Sequence, residues 1–158
     1  METTEPFALE MGVDEGVEIH VSHLREMVRS KAGGVLISGG ELGVRVRGRG
    51  RGGRNTEFAL RVAKAIFEEN RIGLREGDLS RIAVAAIGTD GTDGPTDFAG
   101  AWIDLAGYRE ARRLGLQIDP FLAASDSLEY FRAIDRLIRT GPTGTNLMDL
   151  RMAFVESS

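Results

Sequence analysis

The sequence feature that most constrains the fold is an uninterrupted apolar run at residues 82–87, which leads directly into a polar, glycine-rich loop. Such a run is typical of a central strand that is covered on both faces. Apolar residues recur at helical spacing over residues 17–31 and again after Asn55, which predicts helices before and between the strands. This alternation predicts a single layered α/β domain with a mixed sheet of about four to six strands, about four helices, and glycine-rich loops at the strand ends.

Weaker patterns predict the remaining elements. Residues 34–38 form a short apolar run and residues 42–47 alternate apolar with polar side chains, which together predict a hairpin. Asn55 is a good N-cap for a helix that is apolar on two sides and is therefore expected between two layers. Asp126 and Glu129 resemble a capping box at the start of another helix. Further strands are predicted at residues 101–103 and 150–155, and further helices at residues 108–114 and 126–139.

The start of the chain is predicted to differ from the rest. Residues 1–15 show no periodicity and are expected to form an arm that packs only in context. We therefore divide the chain into residues 1–31, an arm with a connecting helix, and residues 32–158, the α/β domain.

Composition excludes several classes of protein. The 158 residues contain no cysteine, so there is no disulfide framework, no thiolate zinc site and no cysteine nucleophile. No apolar stretch approaches the about 20 residues of a membrane span, and the acidic first ten residues do not resemble a secretory signal. The net charge of -4 argues against a dedicated nucleic-acid binder. We expect a water-soluble cytoplasmic protein without membrane or nucleic-acid partners.

Positive charge is concentrated in one segment and is carried by arginine. Only Lys31 and Lys64 among the 20 basic residues are lysines. A guanidinium group can grip a carboxylate or phosphate through two parallel hydrogen bonds, so the cluster predicts an anionic ligand. The clustered residues are Arg45, Arg47, Arg49, Arg51, Arg54 and Arg61.

Four glycine-rich loops combine flexible backbone with hydroxyl, amide or carboxylate side chains. They occupy residues 38–41, 48–55, 88–97 and 140–146. Glycine allows a ligand to approach the backbone amides, and the polar side chains supply fixed hydrogen bonds. Any one of these loops could be an ordinary set of turns, but four of them in one small domain favour a binding site.

The second loop carries the most specific signal. Gly52, Gly53 and Arg54 lead into a helix N-terminus, where free amides and the helix dipole favour an anion that Arg54 can also grip. Gly48, Gly50 and Gly53 also match a dinucleotide-binding fingerprint, although arginines fill its variable positions and the preceding segment is not wholly apolar. An arginine-glycine RNA-binding tract is a further alternative, which the flanking patterned elements disfavour.

The third loop places Asp90 and Asp93 directly after the apolar strand, where they could hold Mg²⁺ or simply cap turns. The fourth loop lacks the lysine of a phosphate-binding P-loop but could line an oxygen-rich pocket. His20 and His23 lie three residues apart on the first predicted helix, a spacing that a metal could use. A solvated helix face or a partner contact explains these two histidines better.

Taken together, the loops resemble one family, the MOFRL domain. The matching segments, in family order, are SGGE at residues 38–41, GRGRGGRNTEF at 48–58, GTDGTDGPTDFAGA at 88–101, Asp126 with Ser127, and TGPTGTNLMDL at 140–150. Departures from the family pattern are modest and remove no charged motif residue. They occur at Leu42, Gly43, Thr56, Phe98 and Met148.

The resemblance implies the C-terminal domain of a glycerate 2-kinase, which phosphorylates D-glycerate with ATP and magnesium in a cleft shared with an N-terminal Rossmann-like domain. An essential lysine would come from that other domain, so this chain would be half of an active site, whether as a fragment, a split subunit or a remnant. Some relatives carry the name hydroxypyruvate reductase. A non-catalytic anion-binding or regulatory module is the alternative, and a homo-oligomer stays open.

The implied roles fall on residues of the four loops. Arg54 is the predicted catalytic residue, and Asp90 and Asp93 are the predicted magnesium ligands. The predicted substrate- or phosphate-binding residues are Ser38, Gly39, Gly40, Glu41, Gly52, Gly53, Asn55, Thr143, Gly144, Thr145 and Asn146.

Overall fold

A computed structural model describes residues 11–31 and 33–157. Six α-helices and five strands follow one another along these residues. The helices are α1 (Val13–Arg29), α2 (Arg54–Ala63), α3 (Glu76–Leu79), α4 (Leu105–Arg113), α5 (Ile118–Ala124) and α6 (Ser127–Ala133), and α2 continues into a π-helical segment at Lys64–Glu68. The strands are β1 (Gly34–Gly39), β2 (Ile82–Gly88), β3 (Gly100–Asp104), β4 (Leu137–Ile138) and β5 (Asp149–Val155).

The five strands form one sheet in the order β1-β5-β2-β3-β4. The predicted α/β domain is confirmed, but the expected mixed sheet is not, because all four strand pairs are antiparallel. The reason lies in β5. β1 and β2 run in the same direction, and β5 enters between them and pairs antiparallel with both.

Helix α2 lies at the centre of the core. It contacts β2 and β3 on one side and α1 and α6 on others, and Phe58, Ala59 and Leu60 are fully buried. This placement confirms the position between layers that its two apolar stripes predict. Helix α1 begins at Val13, earlier than predicted, and buries one stripe along its length. Within the residues described, no helix is long and apolar enough to span a membrane.

The predicted hairpin is wrong. β1 pairs with β5 instead, and residues 42–47 form no strand apart from one bridge between Gly43 and Gly12. Leu42 packs against Gly16 of α1, while the backbone N–H of Arg47 donates to Ser125 Oγ. These two attachments lead the chain away from the sheet.

The predicted helix over residues 126–139 is also wrong in its second half. Helix α6 ends at Ala133, and Asp135 has a φ of 54°, a left-handed conformation that a helix cannot continue through. The next residues form β4, the edge strand beside β3. The Asp126 side chain does not cap its own helix, because it accepts a hydrogen bond from the Arg51 N–H at 2.8 Å.

The face of the sheet opposite the helices, here called the outer face, is apolar and open. Its side chains are Val35, Ile37, Ala83, Ala85, Ile87, Trp102, Leu150, Met152 and Phe154. Among the described residues, none of these side chains belongs to the buried core or packs against it. Ile37 is 42% exposed and Phe154 48%. The prediction that both faces of β2 are covered is therefore wrong for the part of the chain described.

Candidate functional site

Three of the four loops meet at one edge of the sheet. β1 ends at Gly39, β2 ends at Gly88 and β5 begins at Asp149, and the strand register brings these ends together. The N-terminus of α2 lies against the same edge, because Arg54 contacts both Asp149 and Glu41. The candidate site is built around this arginine.

Arg54 is the first residue of α2, and two carboxylates hold its guanidinium group. Its Nε donates to Asp149 Oδ2 at 2.5 Å and its Nη2 donates to Glu41 Oε1 at 2.9 Å. The hydrogen bond with Asp149 raises the Arg54 pKa above its ordinary value. The Arg54 side chain is 38% exposed, and within the described chain its Nη1 has no hydrogen-bond partner. Nη1 is thus available to an anion outside this chain.

Asp149 is the residue that sequence analysis missed. Its side chain is fully buried, its Oδ1 accepts from Asn55 Nδ2 at 2.9 Å, and Arg151 Nη1 lies 3.8 Å from its Oδ2. Arg151 is buried as well and donates from Nη2 to the Gly39 carbonyl at 2.7 Å. No local pattern marks Asp149, because its partners Arg54 and Asn55 lie more than 90 residues away in the sequence.

Asp93 supplies the anion at the N-terminus of α2. Its Oδ1 accepts from the Asn55 N–H and its Oδ2 from the Thr56 N–H, both at 2.8 Å. Burial raises the Asp93 pKa, while these bonds oppose that shift. The N-cap residue is Gly53, so the predicted N-cap role of Asn55 is wrong. The helix amides that were predicted to bind a ligand anion are held by the protein's own carboxylate.

Asp93 does not fit the predicted role of a magnesium ligand, because both of its carboxylate oxygens accept hydrogen bonds from backbone N–H groups of α2. Asp90 Oδ1 accepts from the N–H and the Oγ1 of Thr92, both at 3.0 Å, and these bonds lower the Asp90 pKa. Within residues 11–31 and 33–157, no group of three or more histidine or acidic side chains could hold a metal. These contacts favour the turn-capping interpretation of Asp90, whereas Asp93 caps helix α2.

The first loop divides into a buried and an exposed half. Ser38 is buried and donates from Oγ to His20 Nε2 at 3.0 Å, while His20 Nδ1 donates to the Gly16 carbonyl at 2.9 Å. Burial is the main cause that lowers the His20 pKa to about 4. Ser38 therefore joins β1 to α1. Gly40, at a φ of 98°, turns the chain so that the exposed Glu41 reaches Arg54.

The two histidines of α1 do not form a metal pair. His23 Nδ1 donates to the Ile19 carbonyl at 2.8 Å, as His20 does to Gly16 one turn earlier. Each ring is thus tied to its own helix.

The glycines of the second loop make room for protein backbone. A Cβ on Gly48 would lie 2.3 Å from the Ala124 carbonyl oxygen, and one on Gly50 would lie 2.4 Å from Asp126 Cβ. The Gly50 N–H donates to the same Ala124 carbonyl at 2.9 Å. The loop is thus fixed to the junction of α5 and α6, which supports neither the dinucleotide fingerprint nor a disordered RNA-binding tract.

The fourth loop is exposed and bonded to the third. Thr143 Oγ1 donates to the Thr89 carbonyl at 2.5 Å, and the Thr143 N–H donates to the Asp90 carbonyl at 3.2 Å. Asn146 Oδ1 accepts from the Met148 N–H at 3.0 Å. Gly144 has a φ of 73°, which suits its tight turn. The two loops therefore form one polar surface beside the start of β5.

Comparison with known proteins assigns the family. The model of the MOFRL family matches residues 34–149. The chain belongs to the MOFRL family. It is 41% identical over 137 residues to "Glycerate kinase" of Macaca fascicularis, covering 84% of this chain and 33% of that protein. It is 39% identical over 120 residues to "D-glycerate 2-kinase" of Thermotoga maritima, covering 76% of this chain and 26% of that protein.

A solved structure supports the same assignment. The crystal structure of glycerate kinase from Thermotoga maritima superposes with a TM-score of 0.82 at 33% identity, over 96% of this chain and 35% of that chain. The MOFRL chain thus spans about a third or less of the length of these relatives.

Proposed function

We propose that this MOFRL chain is the C-terminal domain of a glycerate kinase and contributes its Arg54 edge to an active site completed by an N-terminal Rossmann-like domain. The reaction would be ATP-dependent phosphorylation of D-glycerate, in the cytoplasm. The observation that carries this proposal is the guanidinium of Arg54, anchored by Asp149 at the edge where three loops meet, with Nη1 directed to no group of the described chain.

The chemistry of Arg54 suits an anionic reactant. A guanidinium group that is already fixed loses little freedom when it binds a carboxylate or a phosphoryl group, and it can neutralise charge that develops during transfer. Thr145 and Asn146 lie on the exposed fourth loop, where their polar groups are available to glycerate hydroxyls. Gly52, Gly53 and Asn55 would act through α2, by holding Arg54 in place.

Magnesium accompanies ATP in the proposed enzyme. The carboxylates of Asp90 and Asp93 make hydrogen bonds within the chain, so this proposal assigns metal ligation to groups outside the described residues. The N-terminal domain would supply the essential lysine that the family resemblance implies.

A domain exchange tests the proposal. Residues 34–155 of this chain would replace the corresponding segment of the Thermotoga maritima D-glycerate 2-kinase, and ADP release would be followed with D-glycerate and ATP. We expect activity from the chimera and none above background from the 158-residue chain alone. A chimera carrying Arg54→Gln is the matched control.

Two outcomes would contradict the proposal. Strong glycerate phosphorylation by the isolated chain would show that no second domain is needed. A folded chimera without activity, combined with binding of inorganic phosphate or glycerate by the chain alone, would favour the non-catalytic anion-binding module.

A further inference from the structure

We propose that Asp149 is a positioning residue that fixes the Arg54 guanidinium so that its Nη1 edge faces an anionic reactant. The fixing of Arg54 follows from contacts within this chain, and the role toward a reactant rests on the proposed function. Asp149 itself would not contact the reactant, because its side chain is fully buried.

The two carboxylates that contact Arg54 differ in their freedom to move. The Glu41 side chain is 47% exposed, and Arg54 is its hydrogen-bond partner among the described side chains. The Asp149 side chain is fully buried, and its second oxygen accepts from Asn55 Nδ2 at 2.9 Å. A buried carboxylate needs its hydrogen-bond donors, so Asp149 holds Arg54 far more firmly than Glu41 can.

Both ends of the Asp149–Arg54 contact are anchored in regular structure. Asp149 pairs with Gly88 at the start of β5, which lies between β1 and β2. Arg54 begins α2, whose first amides are held by the two oxygens of Asp93. Because neither backbone can shift easily, the 2.5 Å bond between Nε and Oδ2 fixes the orientation of the guanidinium plane.

The geometry also separates the roles of the guanidinium nitrogens. Nε donates to the buried Asp149 and Nη2 donates to Glu41, which leaves Nη1 without a hydrogen-bond partner among the described residues. An anion that displaces Glu41 would find Nη1 and Nη2 side by side, the arrangement that binds two oxygens of a carboxylate or phosphoryl group. Such an exchange would leave the Asp149 bond intact.

Nuclear magnetic resonance of the chain tests the anchoring without reference to activity. The Nε–Hε signal of Arg54, assigned with Arg54→Gln, should exchange with solvent at least about tenfold more slowly than that of the exposed Arg45. Asp149→Ala, which removes both acceptor oxygens, should abolish this protection, and the matched variant Glu41→Ala should retain it. Protection that survives Asp149→Ala, or that disappears in Glu41→Ala, would overturn the proposal.

A measurement on the unmodified chain keeps the proposal testable if Asp149→Ala does not fold. A scalar coupling across the hydrogen bond should join ¹⁵Nε of Arg54 to ¹³Cγ of Asp149. If the protected Arg54 signal shows this coupling to another carboxylate instead, Asp149 is not the anchor.

A double-mutant cycle in the active chimera tests the role in the reaction. Asp149→Ala should lower kcat about 100-fold, the loss typical of a misplaced group, with a smaller change in the KM for ATP. The double variant with Arg54→Gln should be no slower than Arg54→Gln alone, since one acts through the other. Losses that multiply would overturn the positioning role. An inactive chimera with intact Nε protection would refute the proposed function and leave the anchoring in place.

Discussion

At the scale of single residues, Arg54 makes directional contacts that a lysine cannot reproduce. In the chimera, Arg54→Lys should lower kcat by about 100-fold, because one ammonium cannot bind Asp149 and a reactant at fixed angles. The same change should lower the free energy of unfolding of the chain by about 1–3 kcal/mol, since Asp149 loses a buried partner. Steady-state kinetics and urea unfolding measure the two effects. Near-normal turnover would remove Arg54 from the catalytic machinery.

The carboxylate of Asp93 completes the N-terminus of α2. Asp93→Ala removes the acceptor for two buried N–H groups and should lower the free energy of unfolding by about 2 kcal/mol. Asp90→Ala is the control, because its acceptor serves a local turn, and it should change stability by about 0.5 kcal/mol or less. Equal effects of the two changes would contradict the capping role.

Magnesium dependence tests whether Asp90 is a metal ligand. In the chimera, Asp90→Asn should leave the magnesium concentration for half-maximal rate unchanged, because asparagine also accepts the Thr92 hydrogen bonds. A clear increase in that concentration would restore Asp90 as a candidate ligand.

Buried His20 should make the chain sensitive to mild acid. Its pKa is about 4 in the folded state against 6.5 ordinarily, so the unfolded chain binds the extra proton between these values. The free energy of unfolding should therefore fall as pH drops from 6.5 toward 4, by about 3 kcal/mol from this residue. Urea unfolding across this range should show a weaker slope for His20→Gln. His23→Gln, at a partly exposed position, should keep the original slope. A weaker slope in His23→Gln would contradict the attribution of the pH dependence to His20.

Part of the local structure around the candidate site could be predicted from the sequence. The position of Arg54 at the start of a helix could be predicted, because glycines followed by a helical pattern are a local signal. Asp149 could not, because its partner lies at the start of α2, in a different part of the sequence, and only the insertion of β5 brings the two together. For the same reason, Asp93 could not be recognised as the cap of a helix that begins at Arg54.

At the scale of elements, the second loop depends on close backbone contact with the junction of α5 and α6. Gly48→Ala would bring its Cβ within 2.3 Å of the Ala124 carbonyl and should lower the free energy of unfolding by about 1–3 kcal/mol. Gly77→Ala is the matched control, since it lies in α3 with open space around it, and should raise stability by about 0.5–1 kcal/mol. Thermal unfolding compares them, and a neutral Gly48→Ala would show that the loop is free to move.

The elements that the sequence predicted well are those whose pattern is complete within one segment, such as α1 and β2. The hairpin after β1 was wrong because β1 pairs with β5, while Leu42 packs against α1 and Val46 is exposed. Strand β4 was hidden because its two residues continue the apolar spacing of α6. Residues 134–136 separate the helix from the strand, and Asp135 among them is left-handed.

At the scale of the whole molecule, the apolar outer face should govern the behaviour of the isolated chain. Ile37→Thr with Phe154→Thr should reduce binding of the apolar dye ANS and reduce self-association in ultracentrifugation, at nearly unchanged stability, because both side chains face solvent. Leu36→Thr, one residue along the same strand, should instead cost about 2–4 kcal/mol because Leu36 is buried. Unchanged dye binding by the double variant would show that this face is already covered.

The insertion of β5 between β1 and β2 also sets an order of assembly. Val155 of β5 pairs with both Gly34 of β1 and Ile82 of β2. Neither β1 nor β2 can therefore pair with β5 until residues 149–155 have emerged from the ribosome. During synthesis, β2 and β3 can pair early, whereas the backbone N–H and C=O groups of β1 that pair with β5 must wait for it. Closing such long loops slows folding, so the interval before β5 arrives is the period in which the nascent chain most needs protection from aggregation.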